Sequence, residues 1–468
     1  MAYHVRRLNK SCKNLSTSVI LNHIEAFEKN NNAKLSDEQQ EAVIKALQND
    51  FTVLTGLPGA GKTFTINAII NIYMQIYPDG RVCPLAPTGK ASRRIQELTG
   101  LYAQTVHRAL ELNERIADRK KPIDVDFIIV DEASMLDIYL AGTLLQCIEN
   151  NTKVLIVGDI EQLPSIGAGL ILRDIIDSGV VQTTRLTKLF RQAEDSNIVR
   201  NAHAIAKGTG DFKWEKDSIF WEAKGEADTL NKLLAGYKKL RDSGNSMTSI
   251  GILAPANKSN LGTIAINQLI QKPFNRNSKG VVVDAATSLE IKVNDMVMQT
   301  KNNYEKEIFN GEIGVVEKIE GTVIHVKYAD REEAIEYNEA EYNQLTLAYC
   351  ITIHKSQGSE YNNVIIIVDE EQELMLNKNL IYTAITRAKK FLVVLGDKET
   401  FNRAIQNNDA VSRLSSLKEK LQGKVFNQYA PLKDYAKDNT FTVKTRMGDI
   451  RTYTLTDELF LTDEDEIF

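Results

Sequence analysis

The octapeptide Gly56-Leu57-Pro58-Gly59-Ala60-Gly61-Lys62-Thr63 constrains this chain more than any other stretch. It matches G-x-x-x-x-G-K-[ST] and lies between a β-rich run, Phe51 to Thr55, and a helical one, so it requires a strand, a glycine turn and a helix in succession. Repeated strand-then-helix units of this kind build parallel α/β sheets. The glycines let backbone N–H groups wrap phosphate oxygens at a helix N-terminus, Lys62 can reach the β and γ phosphates, and the Thr63 hydroxyl suits Mg²⁺. The candidate nucleotide contacts here are Gly56, Pro58, Gly59, Ala60, Gly61, Lys62, Thr63 and Phe64.

A second constellation follows. Phe127 to Val130 reads as a buried strand that ends in Asp131-Glu132, at the carboxyl edge where ligands bind in open α/β sheets. Asp131 is the candidate magnesium ligand. Glu132 is placed to orient and deprotonate an attacking water, which points to a hydrolase. Val154 to Val157 is another apolar strand, and Gln162, just beyond its end, is a candidate sensor of the γ-phosphate.

The remaining sequence sets the frame around these motifs. At 468 residues the length implies about three domains. With 43% hydrophobic and 25% charged residues the chain is globular in composition. Its longest apolar runs, such as Val364 to Val368 and Phe391 to Leu395, fall far short of the ~18 residues of a membrane span. The polar N-terminus carries no apolar signal core, so a cytoplasmic location is expected. Cys12, Cys83, Cys147 and Cys350 are scattered without zinc-ligand spacing and read as reduced thiols. The net charge of −5, from 57 basic and 62 acidic residues, weighs mildly against a protein that coats nucleic acid, although a basic groove can sit on an acidic molecule.

Along the chain, residues 1–34 read as a helical arm and linker with no chemistry. Ser36 and Gln39 form a capping-box signature for a helix with Ala42, Val43, Ala46 and Leu47 on its apolar face. Strand and helix alternate from there to about residue 190. A second set of buried parallel strands includes Ser249 to Leu253, Val364 to Val368 and Phe391 to Leu395. Between 272 and 344 short β segments (Asp295 to Thr300, Ile313 to Glu317, Val323 to Tyr328) with turns at Asn310-Gly311 and Glu320-Gly321 predict a small inserted β-barrel. The expected divisions are an arm, 1–34; a first α/β domain, 35–188; a second, 189–271 with 345–400; the insert, 272–344; and an extension, 401–468. The extension carries a helix with Leu414, Leu417 and Leu421 on one side, a β-like stretch and an acidic end.

Seven short motifs occur in one order: Ala86-Pro87-Thr88-Gly89-Lys90-Ala91, Thr105-Val106-His107, Asp131-Glu132-Ala133-Ser134, Gly158-Asp159 with Gln162-Leu163-Pro164, Phe190-Arg191-Gln192, Thr352 to Gly358, and Tyr382-Thr383-Ala384-Ile385-Thr386-Arg387. Over roughly residues 35 to 400 this order resembles superfamily 1 helicases, and within them the B subgroup of RecD-like and Dda-like DNA helicases. The resemblance implies two RecA-like domains with ATP and Mg²⁺ at their interface, an SH3-like insert, and 5′ to 3′ movement on single-stranded DNA. It implies that Gln39 contacts adenine and that Gln162, Arg191 and Arg387 complete the γ-phosphate site, with Gly358 and Glu360 also at ATP. For DNA it points to Pro87, Thr88, Thr105, His107, Thr352 and His354, whose small or polar groups suit phosphate and sugar contacts.

Several residues keep a plainer reading. Gln39 also satisfies a helix N-terminus, the two histidines and the threonines of these loops suit ordinary packing or capping, and Tyr382 reads as core. Leu163, Pro164 and Ser165 after Gln162 lack the base-stacking aromatic of the A subgroup. The region 111–124, where relatives carry a duplex-splitting pin, is short and holds Arg115, Arg119, Lys120 and Lys121. Thirty-four residues cannot supply the large N-terminal domain of longer RecD-like proteins, so the layout is closer to a stripped, Dda-like and monomeric motor. The expected substrates are single-stranded DNA and its junctions with duplex. The acidic tail Asp463 to Phe468 reads as a solvated end or as a docking peptide for a replication partner. Two rival functions remain: a translocase that strips bound proteins with little unwinding, and an ATP-gated DNA-binding subunit of a nuclease or replisome.

Overall fold

Strands β1 (Phe51–Gly56), β4 (Phe127–Val130) and β5 (Lys153–Gly158) are buried along their whole length. Such strands must lie inside a sheet covered on both faces. In this computed structural model, which describes residues 1–9, 15–111, 122–188, 195–284, 289–303, 305–329, 331–408, 413, 415–424 and the backbone of 440–444 and 450–454, they are central to a six-stranded parallel sheet. Its order is β3-β2-β4-β5-β1-β6, with β2 at Val82–Ala86, β3 at Gln104–Thr105 and β6 at Gln182–Leu186. Two apolar layers cover its faces.

Helices α1 (Ala2–Leu8) and α2 (Thr17–Asn31) are part of those layers. Val5 and Leu8 share one with Leu417 and Leu421 of a short C-terminal helix, while Ile20, Ile24 and Phe27 join the other. Arg6 donates to the carbonyls of Lys420 and Leu421, and Arg7 to those of Leu145 and Ile148. The segment expected to be an arm and linker is thus packed into the first domain. Helix α3 (Asp37–Gln48) begins with the reciprocal capping box of Ser36 and Gln39. The helices that bear on the site are α4 (Lys62–Ile76), α5 (Gly89–Thr99), and, after α6 (Val106–Ala109), α7 (Ile138–Cys147) and α8 (Ile171–Ser178), α9 (Asn197–Lys207).

The second sheet is also parallel, in the order β16-β8-β17-β18-β7. Its strands are β7 (Ser218–Glu222), β8 (Ile250–Ala254), β16 (Cys350–Thr352), β17 (Tyr361–Val368) and β18 (Ala388–Gly396). Helix α10 (Gly225–Asp242) follows β7, and α11 (Thr263–Phe274) leads into the insert. The insert holds a β9–β10 hairpin (Gly280–Asp284, Leu289–Lys292) and an antiparallel sheet ordered β14-β13-β12-β11-β15. Those strands are Met296–Gln299, Ile313–Glu320, Val323–Tyr328, Ile335–Tyr337 and Leu345–Leu347 for β11 to β15.

Three expected boundaries shift. The division at 271/272 cuts α11, and β15 pairs with β11, which carries the insert past 344 to Leu347. Helix α12 (Lys378–Ile385) precedes β18, and α13 (Lys398–Gln406) straddles the division at 400. Phe401 on α13 is buried edge-on against Phe212, Trp214 and Phe220, so that helix belongs to the second domain. Helix α14 (Leu417–Leu421) and an antiparallel hairpin, β19 (Thr440–Lys444) and β20 (Ile450–Thr454), follow. Arg191, Leu414, most of the pin region and the acidic tail lie outside the described residues.

Candidate nucleotide site and domain junction

Parallel pairing brings the carboxyl ends of β1, β2, β4 and β5 to one edge of the first sheet. The P-loop leaves β1, Pro87-Thr88 leave β2, Asp131-Glu132 leave β4, and Asp159 to Gln162 leave β5. Gly59 and Gly61 take positive φ values of 76° and 79°, which turn the loop so that α4 starts at Lys62. At Gly56 a side chain has no room, since a Cβ there would sit 2.8 Å from the Leu186 carbonyl oxygen. Lys62 Nζ donates to the carbonyls of Gly56 and Leu57. Gln39 is fully buried. Its Oε1 accepts from Ser36 N at 3.0 Å, and its Nε2 reaches the Gly61 carbonyl at 3.5 Å, so the cap also ties α3 to the P-loop.

Asp131 accepts a hydrogen bond from Glu132 N at 2.8 Å. Burial first and the Glu132 charge second push the Asp131 carboxyl up, while Arg94 and Lys62 pull it down. Glu132 itself holds a left-handed backbone, with φ 51° and ψ 37°, a strained state for a residue with a side chain. Ser134 Oγ and Gln162 Oε1 are buried without a hydrogen-bond partner among the described residues, and both residues line one small cavity. These groups suit a magnesium nucleotide. Mg²⁺ is commonly held by one or two carboxylates together with substrate phosphates and water, and Thr63 and Asp131 supply a hydroxyl and a carboxylate for it. Among the described residues no cluster of three or more His, Cys, Asp or Glu could form a closed metal cage.

The second domain packs against this edge. The Leu57 side chain packs against its core, of which Leu163 is a member. Tyr382 donates to Asp159 at 2.7 Å, Leu163 N donates to Thr383 Oγ1 at 2.8 Å, Gln357 Nε2 to the Leu163 carbonyl at 3.1 Å, and Asn379 Nδ2 to the Glu161 carbonyl at 2.8 Å. Tyr382 is core, as its sequence context suggests, and is also a cross-domain donor. Arg387 lies just before β18, and its nitrogens donate to the Thr383 and Ser359 carbonyls and to Thr386 Oγ1, all within its own domain. Glu360 is ion-paired with Arg94 at 2.7 Å and with Lys389 at 2.9 Å. Gly358 faces the N-terminus of α5, where a Cβ on it would lie 3.5 Å from Thr88 Oγ1.

Residues implied for DNA line up at comparable places in both sheets. Ala86 pairs with Thr105 on the β3 edge of the first, and Thr352 ends β16 on an edge of the second. Thr88, Thr105 and Thr352 each use the hydroxyl to accept from a backbone N–H three residues on, namely Ala91, Arg108 and Lys355. His107 is exposed and His354 half-buried, its pKa held below the usual histidine value by burial. Two residues escaped the sequence reading. Arg94 is, with Lys62, a cation that pulls the Asp131 carboxyl down, and only its position after the Thr88-Gly89-Lys90 motif could have signalled it. His203 on α9 stands beside Pro58 of the P-loop, and its Nε2 is buried without a hydrogen-bond partner among the described residues.

Fold and site define a two-domain RecA-like P-loop protein of the superfamily 1 type. Family models match an AAA domain over residues 34–251, the SH3 domain of ATP-dependent RecD-like DNA helicases over 266–332, and a UvrD-like helicase C-terminal domain over 347–395. The chain is similar to the RecD-like branch of the superfamily 1 helicases. It is 35% identical over 357 residues to the ATP-dependent RecD2 DNA helicase of Deinococcus radiodurans, covering 76% of this chain and 48% of that protein. The chain therefore spans about half the length of that relative. The RecD subunit of the RecBCD enzyme of Mycobacterium tuberculosis is 27% identical over 429 residues, covering 82% of this chain and 73% of that one. Among solved structures, Bacteroides Pif1 bound to single-stranded DNA shares the fold at a TM-score of 0.52 and 18% identity, over 81% of this chain and 95% of that one. No helix among the described residues is long and apolar enough to cross a membrane.

Proposed function

We propose that this chain hydrolyses ATP to move 5′ to 3′ along single-stranded DNA and to separate duplex at its junctions, acting as a monomer in the cytoplasm. One observation carries the reading: the strand end beside the P-loop strand is hydrogen-bonded by the second domain, through Tyr382, Thr383, Asn379 and Gln357. A change at the nucleotide is thus felt directly by a second sheet, and Thr352 at its edge shares the DNA role proposed for Pro87, Thr88, Thr105, His107 and His354.

In this reading the P-loop amides and Lys62 bind the phosphates, and Gln39, tied to the loop through the Gly61 carbonyl, contacts adenine. Thr63 and Asp131 hold Mg²⁺, which when bound neutralises phosphate charge. Glu132 orients and deprotonates the attacking water. The unpartnered Gln162 Oε1 and Ser134 Oγ are available to fix that water and the γ-phosphate edge. Arg191 and Arg387 contribute charge to the γ-phosphate as the domains close. A relative named as a DNA helicase, and a fold neighbour solved on single-stranded DNA, support the choice of polymer.

The test is unwinding of matched duplexes bearing either a 5′ or a 3′ single-stranded tail, with ATP and Mg²⁺ and with Glu132→Gln as the inactive control. Unwinding of the 5′-tailed duplex alone is the expected result. Preference for the 3′ tail overturns the polarity. DNA-stimulated hydrolysis with neither duplex opened leaves a translocase that strips bound proteins.

A further inference from the structure

Tyr139, at the start of α7, is 77% exposed, and Ile166, in the loop after β5, is 86% exposed. A single bare apolar side chain on a surface needs no explanation. These two stand on segments that the fold has fastened to each other. Asp137 caps α7 by accepting from Tyr139 N at 3.0 Å and from Leu140 N at 2.8 Å. Gly167 lies so close to that carboxylate that a Cβ on it would sit 2.5 Å from Asp137 Oδ2. Ile138 N donates to the Ala168 carbonyl at 2.9 Å. The Gly167 carbonyl accepts from Ser165 Oγ at 2.9 Å and from an Arg413 nitrogen at 2.7 Å. The loop is thus fixed on both sides of Ile166, yet its apolar tip is left in water.

The same loop lies between the two sets of proposed DNA contacts. At its start the Leu163 carbonyl accepts from Gln357, three residues after His354 of the second domain. At its end it is bonded to α7, which packs against α6, the helix of His107, with Leu140 and Val106 in one apolar layer. A DNA strand running from His354 to His107 therefore passes the loop that presents Ile166 and the helix start that presents Tyr139. The residues proposed for DNA were assigned to phosphate and sugar. That assignment leaves the bases without an apolar partner.

We propose that Tyr139 and Ile166 form a base-contacting platform for single-stranded DNA, on which the phenol ring stacks against one base and Ile166 packs beside it. The proposal rests on the motor reading above and adds base contact to it. Every base has a π face, so such a platform grips a strand of any sequence, as a motor requires. A tyrosine suits this place because its large ring is stiff, with two side-chain torsions to fix on binding. The hydrogen bonds that pin the loop do the same for the backbone at Ile166. Both side chains lie outside the buried core, so each can be replaced without opening a cavity.

The experiment measures the Kd of the full chain, by fluorescence anisotropy, for a labelled oligothymidine and for an abasic strand of equal length that keeps only sugar and phosphate. The proteins are wild type, Tyr139→Ala, Tyr139→Phe, Ile166→Ser and the Tyr139→Ala/Ile166→Ser double variant. Wild type is expected to bind oligothymidine about fivefold or more tightly than the abasic strand, the lower end of what one aromatic stack on a base contributes. Tyr139→Ala should remove most of that preference, and the double variant all of it, with affinity for the abasic strand within twofold of wild type. Tyr139→Phe should retain it. A general folding lesion weakens both strands alike, and that result overturns the proposal. So does a wild type that does not distinguish the two strands, or a double variant that keeps the full preference, which would leave the exposed pair to a protein partner. A wild-type chain that binds neither strand would instead overturn the motor reading.

Discussion

Tyr382 of the second domain donates its hydroxyl to Asp159 of the first over 2.7 Å, and the carboxylate it serves is almost wholly buried. Burial pushes the Asp159 carboxyl up. Lys62 first and this hydroxyl next pull it down, so one acid at the end of β5 is balanced by the P-loop lysine and by a side chain from across the junction. The nucleotide residue and the opposite domain act on the same group.

Removing that hydroxyl should therefore cost stability. Tyr382→Phe leaves a buried acceptor short of a donor, a loss of about 1–3 kcal/mol. Urea unfolding of the variant beside wild type measures it. Adding Asp159→Asn should return part of the loss by abolishing the buried charge, and a double variant weaker than Tyr382→Phe would contradict this account.

Glu132→Gln keeps the size of the side chain at its left-handed backbone position and removes only the basic oxygen. Hydrolysis should fall by ~10²- to 10⁴-fold, the usual contribution of a general base. Binding of a fluorescent ATP analogue should persist. Lys62→Ala should lose that binding, and the two variants together separate the phosphate grip from the chemistry.

Lys90 gives a pH test. Burial holds its ammonium down at about 8, against an ordinary value of 10.5. Between those values the unfolded chain binds more protons than the folded one, so the contribution of this group to stability rises with pH across the window. It is fully present above 10.5 and is lost as pH falls through 8. The thermal midpoint of wild type should gain on that of Lys90→Met as pH is raised from 8 to 10.5; a constant difference would mean that the folded value is not depressed.

His203 meets the P-loop at Pro58 from the second domain. A hydrogen bond from its ring to the loop would contribute about 0.5–1.5 kcal/mol. His203→Ala should accordingly raise the KM for ATP by about two- to tenfold with kcat little changed, and His203→Gln, which keeps a donor, should recover much of it. Steady-state kinetics at saturating DNA decide the matter.

The local parts of this molecule were legible in its sequence. Glycines at 59 and 61 require a turn that only they adopt cheaply, apolar runs such as Phe127 to Val130 require a strand covered on both faces, and Ser36 with Gln39 writes a helix start, because each depends on neighbours a few residues away. The order of the motifs pointed to two similar sheets. Short pieces whose pairing comes from far along the chain left no such mark, among them β7 and β15.

What the tertiary structure alone decided is which distant residues meet. Parallel pairing sets the P-loop strand beside a strand about 100 residues later, and that register brings Lys62, Asp131 and Asp159 to one edge. The junction of the domains then made Tyr382 a donor as well as a core residue, tied Glu360 to Arg94, and turned His203 toward the P-loop. Helical or strand periodicity records only that a side chain is inward or outward. The identity of its partner across a domain boundary is fixed by packing and by the charge that burial forces each group to find.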